Sequence, residues 1–435
     1  MACLMISSTA SYFTPKQLLI SKLCYILNMA KIIIIGAGFA GVWSALSAKR
    51  LLNLKNKEDV EVIVIAPEPT MIMRIRLYEN NASSMTHPLG PLFEAAGIKY
   101  VQGTVTTIQP EAHTILVQSP SYIESSMTYD RLVLAAGSTL TQPHGIPGLQ
   151  EHAFNIDSLP SATKLEDHLK SLAALPATPA RDTIVICGAG FTGIELATEL
   201  PKRLKHLPNP RIILIDIADS IGPELGPGPR PIITQALHDL KIEVKLNSAI
   251  TSISADTITL SSGDQIATKT TIWTAGVTAT PLTHQIPCPR DKSSRLHVTQ
   301  HLRVPSTPDI FATGDAACVL ADNDGHYALM SCQHALELGR VAGHNAAADF
   351  LGEAVVEYSQ PGYVTCLDLG AWGAVVSGGW EREVKFVGEL AKRVKGFING
   401  KAVYPPTDAR EALIAAEPGL YKADELLEEI IRVVG

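Results

Sequence analysis

The chain has 435 residues, 46% hydrophobic and 18% charged, a balance that excludes a disordered polymer and is enough for two or three domains with cores of their own. Its 36 basic and 43 acidic residues give a formal net charge of -7, which speaks against general attraction to nucleic acid. The seven cysteines, at positions 3, 24, 187, 288, 318, 332 and 366, are odd in number, widely spaced and free of CxxC pairs or zinc-ligand clusters, a usage that fits a reducing compartment and offers no metal site.

Residues 1–28 contain no acid and no Arg, and their best apolar stretch, Leu18 to Leu27, is broken by Lys22 and too short to span a bilayer. Two readings stay open: an upstream start or disordered leader ahead of Met29, which is favoured, and an organelle-targeting peptide. The expected location is cytoplasmic, with a mitochondrial address as the alternative.

Lys31-Ile-Ile-Ile-Ile35 reads as a buried parallel strand and runs directly into GAGFAG at Gly36 to Gly41. Glycines at this spacing let the backbone turn tightly and approach a pyrophosphate, whose charge then faces the start of a helix predicted from Phe39 to about Lys55. Val60 to Ile65 completes a βαβ unit. Such a unit usually ends its second strand on an acid that holds ribose hydroxyls. Here the strand ends on Ala66, so Glu68 would have to reach the ribose from a shifted position. In Met71 to Glu79, Arg74 and Arg76 alternate onto one side if the segment is extended. They either contact a cofactor phosphate or an anionic substrate, or form solvated surface, which is commoner.

Ile98 to Gln118 reads as short strands with turns, and Tyr129 to Ser138 as a strand followed by a small-residue turn at Ala136 and Gly137. A Pro-spaced connector, His144 to Pro179, carries one helix around Ser161 to Leu175. The second unit repeats the first: strand Thr183 to Cys187, GAGFTG at Gly188 to Gly193, helix Ile194 to Leu204, strand Arg211 to Asp216. This time the acid is in place, and Ile217 and Ala218 supply no cation for a 2′-phosphate, which favours NADH over NADPH. One glycine fingerprint is a weak signal, because such turns also serve plain packing; two in one chain imply two dinucleotides.

Segments Glu243 to Leu246 and Ile250 to Leu260 lead to Thr271 to Val277, with Gly276 in its turn. The chain then re-enters the first domain through Asp309 to Ala317, which contains Gly314 and Asp315, followed by a helix from Met330 to Phe350. Beyond Val355 come β-like runs at Tyr363 to Leu369 and Ala371 to Ser377. Val384, Val387, Leu390, Val394 and Phe397 follow at helical spacing with Lys385, Lys392, Arg393 and Lys395 among them. A basic amphipathic helix can lie on an anionic membrane; facing a core with a solvated flank is the commoner case.

GAGFAG, LVLAAGS, CGAGFTGIELATEL, TIWTAGV and IFATGDAA, in this order over Lys31 to Gly352, resemble the two-dinucleotide flavoprotein reductases built like glutathione reductase. Within that group the chain is most similar to the type II NADH:quinone oxidoreductases and the related apoptosis-inducing-factor-like reductases, on GFTGIELATEL followed by SCQHALELG. The resemblance implies an α/β fold with two Rossmann-like dinucleotide-binding domains, the FAD domain discontinuous (residues 29–155 and 275–352), a NADH domain at 156–274 and a smaller C-terminal α+β region at 353–435. It implies FAD pyrophosphate on the turn of Gly36, Gly38, Phe39, Ala40 and Gly41, the ribityl chain on Asp315 beside Gly314, and close backbone approach at Ala136, Gly137 and Gly276. Glu68 and Arg74 complete that site, and NADH falls to Gly188, Gly190, Phe191, Thr192, Gly193 and Asp216.

In the same family a glutamate at the position of Glu195 lies near the nicotinamide and assists proton delivery; an ordinary helix-start acid is the equal alternative. Type II enzymes carry AQxAxQ at the helix start where this chain has Cys332-Gln-His-Ala-Leu-Glu337, keeping the first Gln as Gln333, the candidate acceptor-side residue, and replacing the second. Disulfide reductases need two thiols near the flavin and peroxidase relatives one, shortly after the first βαβ unit. No cysteine lies between Ala40 and Ser119, so electrons leave the flavin directly. The expected activity is hydride transfer from NAD(P)H to FAD and then electron transfer to a small acceptor, a quinone first of all, with peripheral membrane contact and a homodimer as further expectations. The rivals are a reductase or oxidase of a dedicated small molecule and a NADH-sensing interaction protein.

Overall fold

The computed structural model describes residues 29–143, 145–419 and 422–435, so the leader, with Cys3 and Cys24, lies outside the described residues. β1 (Ala30–Ile35) runs through the first sheet with Ile32 to Ile35 at most 3% exposed. A strand covered on both faces needs apolar side chains at successive positions, and each one buried contributes about 1.5–3 kcal/mol. α1 (Phe39–Leu54) starts at the first glycine turn, and β2 (Val60–Ala66) returns parallel to β1. β3 (Lys99–Gln102) extends the sheet beside β2, and β4 (Arg131–Leu134) lies on the other side of β1. Between β3 and β4, Thr104–Gln109 and Thr114–Gln118, within the stretch read as short strands, form an antiparallel three-stranded sheet with Glu124–Thr128, which lies beyond that stretch.

The second sheet contains β5 (Ala153–Phe154), β6 (Thr183–Cys187), β7 (Arg211–Ile215), β8 (Ile242–Lys245) and β9 (Thr270–Trp273), in the parallel order β5-β9-β6-β7-β8. β5 falls in the range expected for the first unit yet pairs with β9 in this sheet. α2 (Phe191–Arg203) begins directly at the second glycine turn rather than at Ile194, with Gly190 in extended conformation as its cap. The chain then returns to the first sheet, where β10 (Ile310–Ala312) pairs parallel with β4 and completes the order β10-β4-β1-β2-β3.

α3 (Cys332–Leu351) crosses α1 so closely that a Cβ on Gly339 would lie 2.4 Å from the Ala40 carbonyl oxygen, and one on Gly343 would lie 2.0 Å from that of Ser44. Ser44 Oγ donates across the crossing to the Gly339 carbonyl at 3.0 Å. Ala40 and Ala335, in the first turns of the two helices, both pack against Gly314. The start of α3 is thereby anchored beside the first glycine turn.

β11 (Val364–Asp368), β12 (Ala374–Gly378) and β13 (Glu383–Gly388) form an antiparallel sheet that packs with α4 (Glu389–Phe397) and α5 (Ala423–Val434) around Cys366, Val376, Ala391, Val394 and Ile430. The helix read through Val384 and Val387 is corrected here: both lie on β13, and the helix starts only at Glu389. Gly388, at φ +77°, breaks the chain direction, and pairing with β12 satisfies the backbone that precedes it. A strand joined end to end to a short helix imitated one periodic run. Among the described residues no helix is long and apolar enough to cross a membrane.

Candidate functional site

The two glycine turns have nearly the same backbone. Gly36 and Gly188 take φ +109° and +111°, a region that favours glycine, and a Cβ on Gly41 or Gly193 would strike the carbonyl oxygen of Gly36 or Gly188 at 2.0 or 1.8 Å. Both helices start on a glycine that supplies no side-chain cap of its own, a start that offers first-turn N–H groups to an acceptor from elsewhere. The turns differ in what faces them. At Gly38 a Cβ would meet nothing within 4 Å, whereas at Gly190 it would lie 2.8 Å from Glu224 Oε1, which accepts from Phe191 N at 2.8 Å. The first cradle is open to a phosphate; in the second, a carboxylate of this chain sits on the phosphate seat. Asp216 follows β7 and accepts from Ala189 N at 2.5 Å and Ala218 N at 2.8 Å, which ties this acid to the glycine turn.

At the first cradle the polar residues converge. Asp315 Oδ2 accepts from Ser138 Oγ at 2.6 Å, Arg74 Nη1 donates to Ser138 Oγ at 2.8 Å, and Arg74 pairs with Asp157. The extended reading of Met71 to Glu79 is corrected: Arg74 to Arg76 form a 3-10 turn, and Arg76 points away to Glu79 and Tyr404. A partly exposed pair such as Arg74–Asp157 contributes at most about 1 kcal/mol to stability, so its main effect is to orient Arg74 toward Ser138 and Asp315. Gly137 and Gly276, both at positive φ, are joined by Thr280 N to the Gly137 carbonyl at 2.9 Å and Thr141 N to the Gly276 carbonyl at 3.0 Å. Ala136 lies beside Gly137 at the end of β4. These residues fit a flavin dinucleotide: an open turn for its pyrophosphate, an acid for its hydroxyls and small residues against its ring. Glu68 is exposed, two residues beyond the end of β2.

A cavity of about 480 Å³ lies where the two units and the C-terminal sheet meet, lined by Arg74, Phe191, Thr192, Glu195, Cys332 and Gln333, among others. Its far wall comes from Tyr363, Arg382, Lys395 and the apolar face of α5 at Leu426, Leu427 and Ile430. Glu195, on the second turn of α2, is 4% exposed and pairs with Lys395 Nζ at 2.8 Å while accepting from Asp368 N at 3.0 Å. Burial pushes its carboxyl up to about 7 in spite of the lysine, whereas the nearby Glu195 and Asp368 carboxylates keep Lys395 charged. Removing two ions from water costs several kcal/mol each, so such a pair is weak as a stabiliser. Its value is a proton held near neutral pH at the wall of a cavity. Gln333 Oε1 accepts from Val364 N at 3.3 Å, which leaves its amide NH2 for the cavity.

Residues 30–339 match the family described as pyridine nucleotide-disulphide oxidoreductases. The chain belongs to that family. It is 40% identical over 400 residues to a NADH dehydrogenase-like protein of Mycobacterium tuberculosis, covering 90% of this chain and 98% of the relative. It is 28% identical over 359 residues to the demethylphylloquinone reductase of Synechocystis, 80% of this chain and 86% of that one. The fold matches that of NDH2 from Plasmodium falciparum in complex with NADH, with TM-score 0.72 at 15% identity over 89% of this chain and 98% of that one. The two-dinucleotide α/β fold and the resemblance to NADH dehydrogenases read from the motifs both hold, and the protein is an NAD(P)H oxidoreductase of a family that uses FAD.

For a member of a family named for disulphides, the thiols are telling. Cys187, Cys288, Cys318, Cys332 and Cys366 are all free. Cys332 and Cys366 do line the cavity, but burial raises both, Cys366 to about 12, and disfavours the reactive thiolate. His334 is a packing residue: 0% exposed, held by Ser331 Oγ at 2.9 Å and pushed down to about 3, chiefly by burial. Glu337, which stands where the type II motif has its second Gln, is absent from the cavity lining and accepts from Gly419 N at 2.6 Å.

Sequence reasoning missed Lys395, Arg382, Asp157 and Glu224. The helical spacing places Lys395 on a solvated or membrane-facing basic flank; in the fold it is 6% exposed, and Lys392 pairs with Asp368. Neither residue belongs to a motif, and long-range pairing left no local signal for them.

Proposed function

We infer that this protein is a FAD-dependent NADH:quinone oxidoreductase in which no redox disulfide intervenes. The observation that carries this reading is the buried Glu195–Lys395 pair beside Gln333, at the wall of an apolar cavity that Phe191 and Thr192 of the second glycine turn line together with Arg74. A quinone takes up two electrons and two protons, so NADH, one proton and a quinone give NAD+ and a quinol. Bound FAD supplies the relay that accepts a hydride from NADH and passes two electrons onward.

Gly36, Gly38, Gly41, Asp315 and Arg74 hold that cofactor, while Gly188, Gly193 and Asp216 hold NADH. Asp216, with no cation at Ile217 or Ala218, selects NADH against its 2′-phosphorylated form. Glu195 stores one proton on its carboxyl close to pH 7, and Lys395 stabilises the carboxylate left after the proton departs. The Gln333 amide donates to an acceptor oxygen. Leu426, Leu427 and Ile430 keep water from the slot. Relatives named as NADH:quinone oxidoreductases and a demethylphylloquinone reductase support the acceptor.

Anaerobic stopped-flow mixing tests both halves. NADH should bleach the yellow enzyme, and a naphthoquinone should restore the colour within the turnover time; a flavin reoxidised only by a protein carrier would end the quinone assignment.

A further inference from the structure

Three cations line the cavity on its polar sides, and two of them are neutralised within the chain: Arg74 by Asp157, Lys395 by Glu195. The third is not. Arg382 is 7% exposed, yet among the described residues it meets no carboxylate. Its guanidinium donates to Thr365 Oγ1 at 2.9 Å and stacks on the Tyr363 ring, 4.3 Å from its centroid. An arginine carries five donors in a rigid fork, so most of them are left for the cavity. A buried charge without a counter-ion is costly unless something supplies one.

The chain also fixes Arg382 in place at some strain. Its backbone takes φ +57°, a region unusual for a side chain of this size, in the turn between β12 and β13. Two glycines of the NADH unit make room for it: a Cβ on Gly228 would lie 2.7 Å from the Arg382 carbonyl oxygen, and one on Gly226 3.0 Å from its Cγ. The backbone and the base of the Arg382 side chain are therefore held against the NADH unit, while its guanidinium rests on Thr365 and Tyr363 of the C-terminal segment.

We propose that Arg382 is the seat for an anionic oxygen of the electron acceptor, and that the preferred acceptor is a quinone bearing a carboxylate or an ionised hydroxyl group. The proposal rests on the quinone reading above and narrows it. Reduction keeps its balance: NADH and one proton deliver two electrons and two protons to the ring carbonyls while a carboxylate substituent retains its charge, and an ionised hydroxyl takes up one further proton from water as its ring becomes a quinol. Fork-to-carboxylate pairing out of water supplies the selectivity.

A matched pair of probes tests this in the flavin-loaded enzyme: 2-hydroxy-1,4-naphthoquinone, an anion at neutral pH, and its neutral 2-methoxy ether. The ratio of their kcat/KM values should fall by about tenfold or more in Arg382→Gln and by less in Arg382→Lys, which keeps the charge but not the fork. A ratio unchanged in Arg382→Gln overturns the proposal. So does a raised KM for NADH with that ratio intact, because the seat then serves a nucleotide phosphate. A readout free of turnover is titration with redox-inert 1-hydroxy-2-naphthoate, followed by quenching of tryptophan fluorescence, since Trp380 stacks on Tyr363. Quenching in the native enzyme that is lost in Arg382→Gln supports the seat even if no quinone is reduced; equal binding by both refutes it. Failure of both quinones to reoxidise the flavin counts against the wider quinone reading and leaves the binding test to judge Arg382.

Discussion

Glu195 is where environment changes a residue's chemistry most. Its carboxyl, pushed up to about 7, is protonated below that pH and charged above it, so acceptor reduction should decline as pH rises through 7. Glu195→Gln should lower the reoxidation rate by roughly 100-fold and flatten that pH profile, leaving flavin reduction by NADH much less affected. A profile that keeps its inflection in the variant would place the proton elsewhere. The two dinucleotide acids should separate cleanly. Asp315→Ala is expected to purify colourless, because Ser138 and Arg74 lose their common partner, whereas Asp216→Ala should remain yellow and need more NADH. Absorbance at the flavin band and the KM for NADH check both.

At the level of elements, the glycine turns were legible because their constraints are local: Gly36 and Gly188 must adopt a backbone that other residues resist, and the apolar strands before them must be buried. What faces the turns was not legible. Glu224 lies far along the chain from Phe191, and nothing near it announces that its carboxylate caps α2. An acid on a helix N-terminus contributes about 0.3–1 kcal/mol, and an incoming phosphate must displace it. Glu224→Ala should therefore tighten NADH binding about two- to fivefold, measured as the dissociation constant for NAD+ by calorimetry. Weaker binding would show that the carboxylate assists the nucleotide instead. The crossing of α1 and α3 is equally invisible in the pattern, since Gly339 and Gly343 read as poor helix formers until Ala40 and Ser44 are seen against them. Gly343→Ala drives a methyl into backbone that cannot swing aside. It should cost roughly 1–3 kcal/mol, read as a lower Tm, and loosen flavin along with it.

For the molecule as a whole, order along the chain revealed more than composition. The return of Ile310–Ala312 to the first sheet follows the motif order, and both sheets have the parallel topology the motifs implied. The final segment was the hardest to read, because Val384, Val387 and Leu390 keep a helical interval across a real boundary at Gly388. Its cations then turn inward: Lys395, on α4, and Arg382, in the turn between β12 and β13, face the cavity from a segment that carries no glycine fingerprint. The cavity is thus lined from three stretches of chain, of which the sequence motifs mark only two.

That assembly gives the terminal helix a duty beyond packing. Leu426, Leu427 and Ile430 close one side of the cavity, so a protein ending at Lys422 would leave its reduced cofactor open to dioxygen. Such a truncated enzyme should consume NADH in air and release hydrogen peroxide severalfold faster than the intact one, detectable with a peroxidase-coupled dye. The last helix then acts as an electrical insulator, keeping the current on the wire that leads to the acceptor.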